Sequence, residues 1–292
     1  MERLRIALWE QNNMGMRIRN RRLSHGEGPG RAFTLIELLV VVAILSLLMT
    51  ILMPLLNIAR ASARRTACAA NLRQIGVGWT SYWVNNQDSF PKYVNAQYRF
   101  GGWTGELCKL MRWDPYRPIS KSMGLDPNGI VHESGRARVF CCPADRGGIS
   151  GQPLQKRAFD WFGNSYYTNI YLVGPAKLNE SDPMTKPLHQ KIERVVENTR
   201  YADVTNNPAK VIFLGDNPWH YQWDLRDERV ETQKEQAGWH GKQDYFNILF
   251  VDGHVAFTKI YKDVYLSSEF DVLPFRLGNE IAREIQSSIS ED

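Results

Sequence analysis

A single carboxylate, Glu37, stands inside an otherwise uncharged apolar run from Phe33 to Leu56, FTLIELLVVVAILSLLMTILMPLL. A carboxylate within a spanning helix costs on the order of a few kcal/mol, so it usually marks a partner or a function. The run offers no Lys or Arg on the same helical face. Proteolysis before Phe33 would create a cation, because the new α-amino group would lie four residues from Glu37. In an assembly, the same carboxylate could pair with the amine of a neighbouring helix. The plainer reading is a side chain near a helix end that snorkels toward the headgroups. A second set is Asp216, His240, Asp252 and His254, whose oxygen and nitrogen donors suit a divalent cation. Here the plainer reading is that Asp252-Gly253 forms a turn while His240 and His254 bond loop backbone.

Other chemistries find less support. There is no H-E-x-x-H, no G-x-S-x-G and no P-loop, and the Ser and Cys residues lack a general base at informative spacing. A membrane-tethered metal-dependent hydrolase using His240, Asp252 and His254 is therefore the runner-up to a non-enzymatic reading. The four cysteines, Cys68, Cys108, Cys141 and Cys142, form no C-x-x-C pair. In an exported domain, a bridge from Cys108 to Cys141 or Cys142 competes with free or buried thiols. Nine tryptophans, among them Trp103, Trp113, Trp161, Trp219, Trp223 and Trp239, leave room for a glycan-binding module, although aromatics more often pack a core.

These residues need elements to hold them. Twenty-four residues of helix reach about 36 Å, enough to cross a hydrocarbon core of about 30 Å. The run is longer than a signal-peptide core, which favours a retained anchor at 33–56. Residues 1–32 carry seven arginines against three glutamates, a balance of +4 within a chain total of +5. The basicity thus belongs to the leader. It favours a cytoplasmic N-terminus and an exported head, and it gives no reason to expect nucleic acid as a partner. Residues 57–88 continue the helix, with Cys68, Leu72, Ile75, Trp79 and Tyr82 tracing one apolar stripe.

The remainder, 89–292, reads as an α+β head. Short β-like runs are expected at Val139–Cys141, Tyr166–Val173, Val211–Leu214 and Tyr245–Ile260, with Asp252-Gly253 as a hairpin signal. Helical segments are expected at Thr104–Arg112, Gln190–Val196 and Gly278–Ile289, and surface loops at 143–164 and 174–187. An antiparallel sheet packed on the N-terminal helix is the natural arrangement.

The segment Arg31-Ala32-Phe33-Thr34-Leu35-Ile36-Glu37-Leu38-Leu39-Val40 resembles the prepilin cleavage and methylation motif of type IV pilins and type II secretion pseudopilins. The resemblance implies a pilin-like α+β fold, cleavage between Ala32 and Phe33 by a prepilin peptidase, and N-methylation of Phe33. It further implies an assembly role for Glu37 and for a helix-kinking proline at Pro54. Ala32 stands where the family usually has Gly, which keeps the residue small. The implied product is a single-pass bacterial inner-membrane subunit, its head periplasmic, packed among lipid and other pilin-like subunits.

The head carries a second likeness. His240 and the stretch Asn247 to Val255 resemble the C-terminal signature of the prepilin-processing-associated domain, His, nine residues, then Asp-Gly. Eleven residues separate His240 from Asp252 here, as a two-residue insertion before the strand would produce. Val139 to Asp145, Asn164 to Asn169 and Pro208 to Asp216 resemble further segments of that family. Since related pseudopilins pin a head loop with calcium, Ca2+ is the cation the resemblance suggests for Asp216, His240, Asp252 and His254.

Overall fold

The computed structural model describes residues 34–91, 105, 106, 110, 119–125, 135–147, 156–169, 171–173, 200–223, 238–262, 264–276, 280 and 283. The leader at 1–32, Phe33, Cys108 and the expected helix Gln190–Val196 lie outside the described residues, as does almost all of Gly278–Ile289. The chain divides into two units, Met1–Met53 and Pro54–Asp292.

A long helix, α1, runs Leu35–Asn85 and contains Pro54. Within the first unit its side chains are apolar and exposed, including Leu35, Ile36, Leu38 and Leu47. It is the one helix among the described residues long and apolar enough to cross a membrane. The two hydroxyl side chains of α1 within this unit are satisfied locally. Ser46 Oγ donates to the Val42 carbonyl at 2.7 Å, and Thr50 Oγ1 to the Ser46 carbonyl at 2.8 Å. Pro54, lacking an N–H, leaves the Thr50 carbonyl without its usual helical donor.

In the second unit α1 becomes one-sided. Cys68, Leu72, Ile75, Gly78, Trp79 and Trp83 are buried. The expected stripe holds except at its end, where Trp83 takes the core place expected of Tyr82. Trp83 meets Phe90, Tyr201 and Phe213 with ring centroids 4.5–5.5 Å apart, and Tyr82 flanks Trp79 edge-on. At Gly78 the helix is closely approached: a Cβ there would lie 2.5 Å from the Met123 side chain. The helix ends as Gln87 and Asp88 enter the left-handed region at φ 54° and 58°, with Asp88 N–H donating to the Trp83 carbonyl at 2.9 Å.

The head sheet is β1 (Tyr166–Thr168), β2 (Ile212–Asp216), β3 (Tyr245–Phe250) and β4 (Val255–Lys259), in that order, each neighbour antiparallel. Short helices α2 (Ala158–Phe162) and α3 (Pro218–Trp223) accompany it. The fold is thus α+β, a long N-terminal apolar helix with a four-stranded antiparallel sheet, consistent with a pilin-like fold. Two expectations change. Val139–Cys141 is not a strand; Gly135–Phe140 forms a 3-10 helix leading into the turn at Cys142. The expected loop 143–164 contains α2, whose left-handed cap at Gly163 (φ 85°) stops it after five residues.

Both faces of the sheet are covered, and strand alternation sorts the residues between them. Tyr166, Leu214, Leu249 and Val251 join the stem-side core with Leu72, Ile75 and Trp79. Tyr167, Ile212, Phe246, Ile248 and Phe250 join a second core with Trp219, Trp223, Tyr265 and Phe270. The phase of β2 breaks once. Ile212 pairs with Phe250 but Leu214 with Leu249, so one extra residue sits between them. Phe213 and Leu214 therefore both face the stem side, and the strand after them is shifted by one. That shift turns Asp216 toward α1.

Candidate functional site

The first site is the start of α1. Thr34 caps it: the Glu37 backbone N–H donates to Thr34 Oγ1 at 3.2 Å. Glu37 Oε2 in return accepts from the Thr34 N–H at 2.9 Å and from Thr34 Oγ1 at 3.0 Å. This is the reciprocal capping box of a Thr-x-x-Glu sequence, which satisfies donors that the first helical turn leaves open. Among the described residues, the carboxylate is thus engaged by its own helix, a role the sequence reading did not assign. Ala32 and Phe33 lie outside the described residues. Pro54 is within α1, at the first position of the second unit.

The second site lies between α1 and the sheet of the second unit. Cys68, from the buried stripe, places Sγ 2.9 Å from Asp216 Oδ1 at the end of β2. His240, in the loop before β3, places Nε2 3.1 Å from Asp216 Oδ2. Cys142, just after the 3-10 helix, places Sγ 3.6 Å from the same Nε2. One ligand atom from each of the four residues falls within 4.8 Å of all the others, and all four residues are buried. Asp216 is 0% exposed, and His240 is the one basic side chain paired with it among the described residues.

Neighbours hold the group in place. The Asn247 N–H donates to Asp216 Oδ2 at 2.8 Å, and the Tyr166 hydroxyl lies 3.4 Å from Cys68 Sγ. The loops bearing Cys142 and His240 are clipped together. Arg146 donates to the Gly238 carbonyl at 2.8 Å, and the Trp239 indole N–H to the Gly147 carbonyl at 3.0 Å. Asp145 fixes the same turn, accepting from the N–H groups of Gly147, Ala158 and Phe159 and from Ser165 Oγ at 2.6–3.0 Å. A carboxylate remote in sequence thus caps the N-terminus of α2.

The electrostatics follow from burial and crowding. Desolvation, reinforced by Cys142 and Asp216, pushes the Cys68 thiol well above the ordinary range. Desolvation is the largest influence on His240 and opposes its charge, yet Asp216 and Cys142 together outweigh it and lift the imidazole to about 10. His240 Nε2 also lies 3.0 Å from Asn247 Nδ2, while Nδ1 has no hydrogen-bond partner among the described residues.

Of the four residues proposed as ligands from sequence, Asp216 and His240 come together here. Asp252 and His254 do not join them. They pair with each other in the hairpin turn, His254 Nδ1 2.6 Å from Asp252 Oδ1, with the imidazole stacked 4.4 Å from the Phe250 ring. The His254 N–H also donates to Asp252 Oδ1 at 3.0 Å, and Gly253 takes φ +91°. Asp252 thus serves the turn, while the His254 ring pairs with the Asp252 carboxylate and not with loop backbone. Cys68 and Cys142 take their places, and sequence reasoning missed both as a pair. The signal was faint: Cys68 read as one member of an apolar stripe, and Cys142 as half of a Cys-Cys step without metal-ligand spacing. Among the described residues Cys68, Cys141 and Cys142 are free. Trp219, Trp223 and Trp239 are core residues, so they offer no stacking platform for a glycan.

The family model for the prokaryotic N-terminal methylation motif matches residues 30–53. No curated protein matches the chain, and no solved structure does. The matched stretch contains the Thr34–Glu37 capping box and most of the apolar run. This chain therefore carries a prepilin-type N-terminal methylation motif on a helix suited to single-pass membrane anchoring, which supports a type IV pilin-like protein.

Proposed function

We propose that this chain is a structural subunit, a pseudopilin or minor pilin, of a type II secretion or type IV pilus-like assembly. The match of residues 30–53 to the methylation motif carries the reading. In it, a prepilin peptidase cleaves between Ala32 and Phe33, and Phe33 is N-methylated. The arginine-rich leader keeps the N-terminus in the cytoplasm, and the head lies in the periplasm. The exposed apolar surface of α1 between Leu35 and Ile58 supplies the face that lipid and neighbouring stems cover. Glu37 pairs with the α-amino group of an adjacent subunit and sets axial register, the best-attested use of a buried ion pair.

The capping box sharpens the test. Glu37→Ala removes both the cap and the charge, whereas Glu37→Gln keeps a hydrogen-bonding group that a capping box accepts and removes only the charge. If charge sets register, both variants insert normally and both fail to form filaments. Wild-type assembly by Glu37→Gln would assign the residue to helix capping and overturn the ion-pair mechanism. N-terminal sequencing of the membrane-extracted protein checks processing: N-methylphenylalanine at position 33 is expected, and an intact leader would refute the subunit reading.

The alternatives gain less. Both thiols and the carboxylate of the central cluster are buried, an arrangement that favours a closed site over a hydrolytic metal with an open position. Three of the tryptophans considered for glycan stacking are packed inside the head.

A further inference from the structure

We propose that Cys68, Cys142, Asp216 and His240 form a structural zinc site that fastens the stem helix to the head. The inference is independent of how the subunit assembles, because all four residues belong to the second unit.

The donor set selects the metal. Two thiolates and an imidazole are soft to borderline ligands that favour zinc, whereas calcium takes six to eight oxygens. This cluster offers only the two carboxylate oxygens of Asp216. Zinc takes sulfur at about 2.3 Å and nitrogen or oxygen at about 2.0–2.1 Å, so the edges of its tetrahedron run from about 3.3 to about 3.8 Å. The distances in the cluster, 2.9, 3.1 and 3.6 Å with none above 4.8 Å, bracket those edges. Shifts of about half an ångström would seat the ion, and four protein ligands would close its coordination shell.

Hydrogen bonding alone accounts poorly for the arrangement. His240 Nε2 has three polar neighbours, Asp216 Oδ2, Asn247 Nδ2 and Cys142 Sγ, within 3.6 Å. One ring nitrogen carries either a single hydrogen or a single lone pair, and so serves one of them well. A cation among the two sulfurs, the carboxylate and Nε2 engages all four donors at once. The surrounding groups suit it. The Asn247 N–H already orients Asp216, and the Tyr166 hydroxyl is placed to donate to the Cys68 sulfur.

Binding is a proton-for-metal exchange. The S–H bonds of Cys68 and Cys142 break as two Zn–S bonds form, and both protons go to solvent with any proton on His240 Nε2. Nothing is oxidised or reduced. The consequence is mechanical: Cys68 is the stem's ligand, and the other three come from three separate head segments.

The test uses the full chain purified in detergent without chelators, with metal content measured by mass spectrometry. About one zinc per chain is expected, falling to near zero in Cys68→Ser and Cys142→Ser and unchanged in Cys141→Ser, whose thiol lies outside the cluster, next to the Cys142 carbonyl and the Arg157 guanidinium. Should the cysteine variants fail to fold, cobalt exchanged into the wild-type chain gives a second readout. Sulfur-to-cobalt charge-transfer bands with tetrahedral d–d bands are expected, and calcium should leave the melting temperature unchanged. Absence of stoichiometric zinc together with no cobalt–sulfur bands would overturn the proposal. So would a Cys68–Cys142 disulfide in protein taken from an oxidising compartment, which would make the pair a covalent staple.

Discussion

Cys68 on the stem helix and Asp216 at the end of β2 stand 148 positions apart in the sequence and 2.9 Å apart in space. Between them they define where the helix sits on the sheet. Directly along the helix, Leu72 and Ile75 are fully buried against the same face. Leu72→Ala should therefore lower stability by roughly 2–5 kcal/mol, the usual cost of emptying a buried leucine site. Urea unfolding of the full chain in detergent, followed by tryptophan fluorescence, measures it. A change below about 0.5 kcal/mol would mean that the helix does not rest on the sheet at this point.

Gly215 separates the residue that faces the stem from the bulge that turns it there. A Cβ at this position would meet Ile248 Cδ1 at 2.4 Å and the Asn247 carbonyl oxygen at 2.9 Å. The first contact yields by side-chain rotation, but the second is backbone of the paired strand. Gly215→Ala should cost about 1–3 kcal/mol, in the range of overpacked cores. It should also disturb Asp216, the next residue, so loss of cysteine protection against alkylation at Cys68 is expected alongside the loss of stability.

Much of this arrangement was legible from local patterns, and the remainder was not for identifiable reasons. The apolar run and the 3.6-residue stripe on α1 depend on near neighbours, so their periodicity survives in the sequence. The Tyr245–Ile260 hairpin was readable for the same reason, from alternation around Asp252-Gly253. The bulge between Ile212 and Leu214 has no such local mark, yet it decides which way Asp216 points. Cys142 was hidden because its partners arrive from α1, β2 and the loop before β3, none of them at motif spacing. Asp252 and His254 misled as ligands because a turn asks for the same residue types as a metal loop.

Asp145 tests whether the Cys142 turn is held from outside the cluster. Its carboxylate accepts four hydrogen bonds, from three N–H groups and the Ser165 hydroxyl, all of them buried. Asp145→Ala would leave these donors without an acceptor, at about 1–3 kcal/mol for each group that water cannot reach. A loss of about 3 kcal/mol is expected. Asp145→Asn should recover little, because its NH2 turns a donor toward donors. Thermal unfolding of both variants gives the comparison, and near-wild-type stability of Asp145→Asn would show that the charge has no part in the cap.

His220 gives the head a pH dependence with a defined sign. Its imidazole lies among Tyr167, Trp219, Tyr221 and Trp223, at centroid distances of 4.5–5.8 Å, and its Nδ1 is shut off from solvent. Burial lowers it from 6.5 to about 3. The unfolded chain therefore takes up this proton as pH falls below 6.5, while the folded chain refuses it until about 3. The stabilisation is complete above pH 6.5 and is lost on acidification, at no more than about 1.4 kcal/mol per pH unit. Carboxylates titrate over part of the same range, so the informative quantity is the difference between wild type and His220→Phe, which keeps a ring in the aromatic setting and cannot protonate. That difference should be flat above pH 7 and should move in favour of the variant from pH 6 to pH 4, a window set by the lowered value. A difference that stays constant with acidification would show that His220 accepts its proton without opening the core.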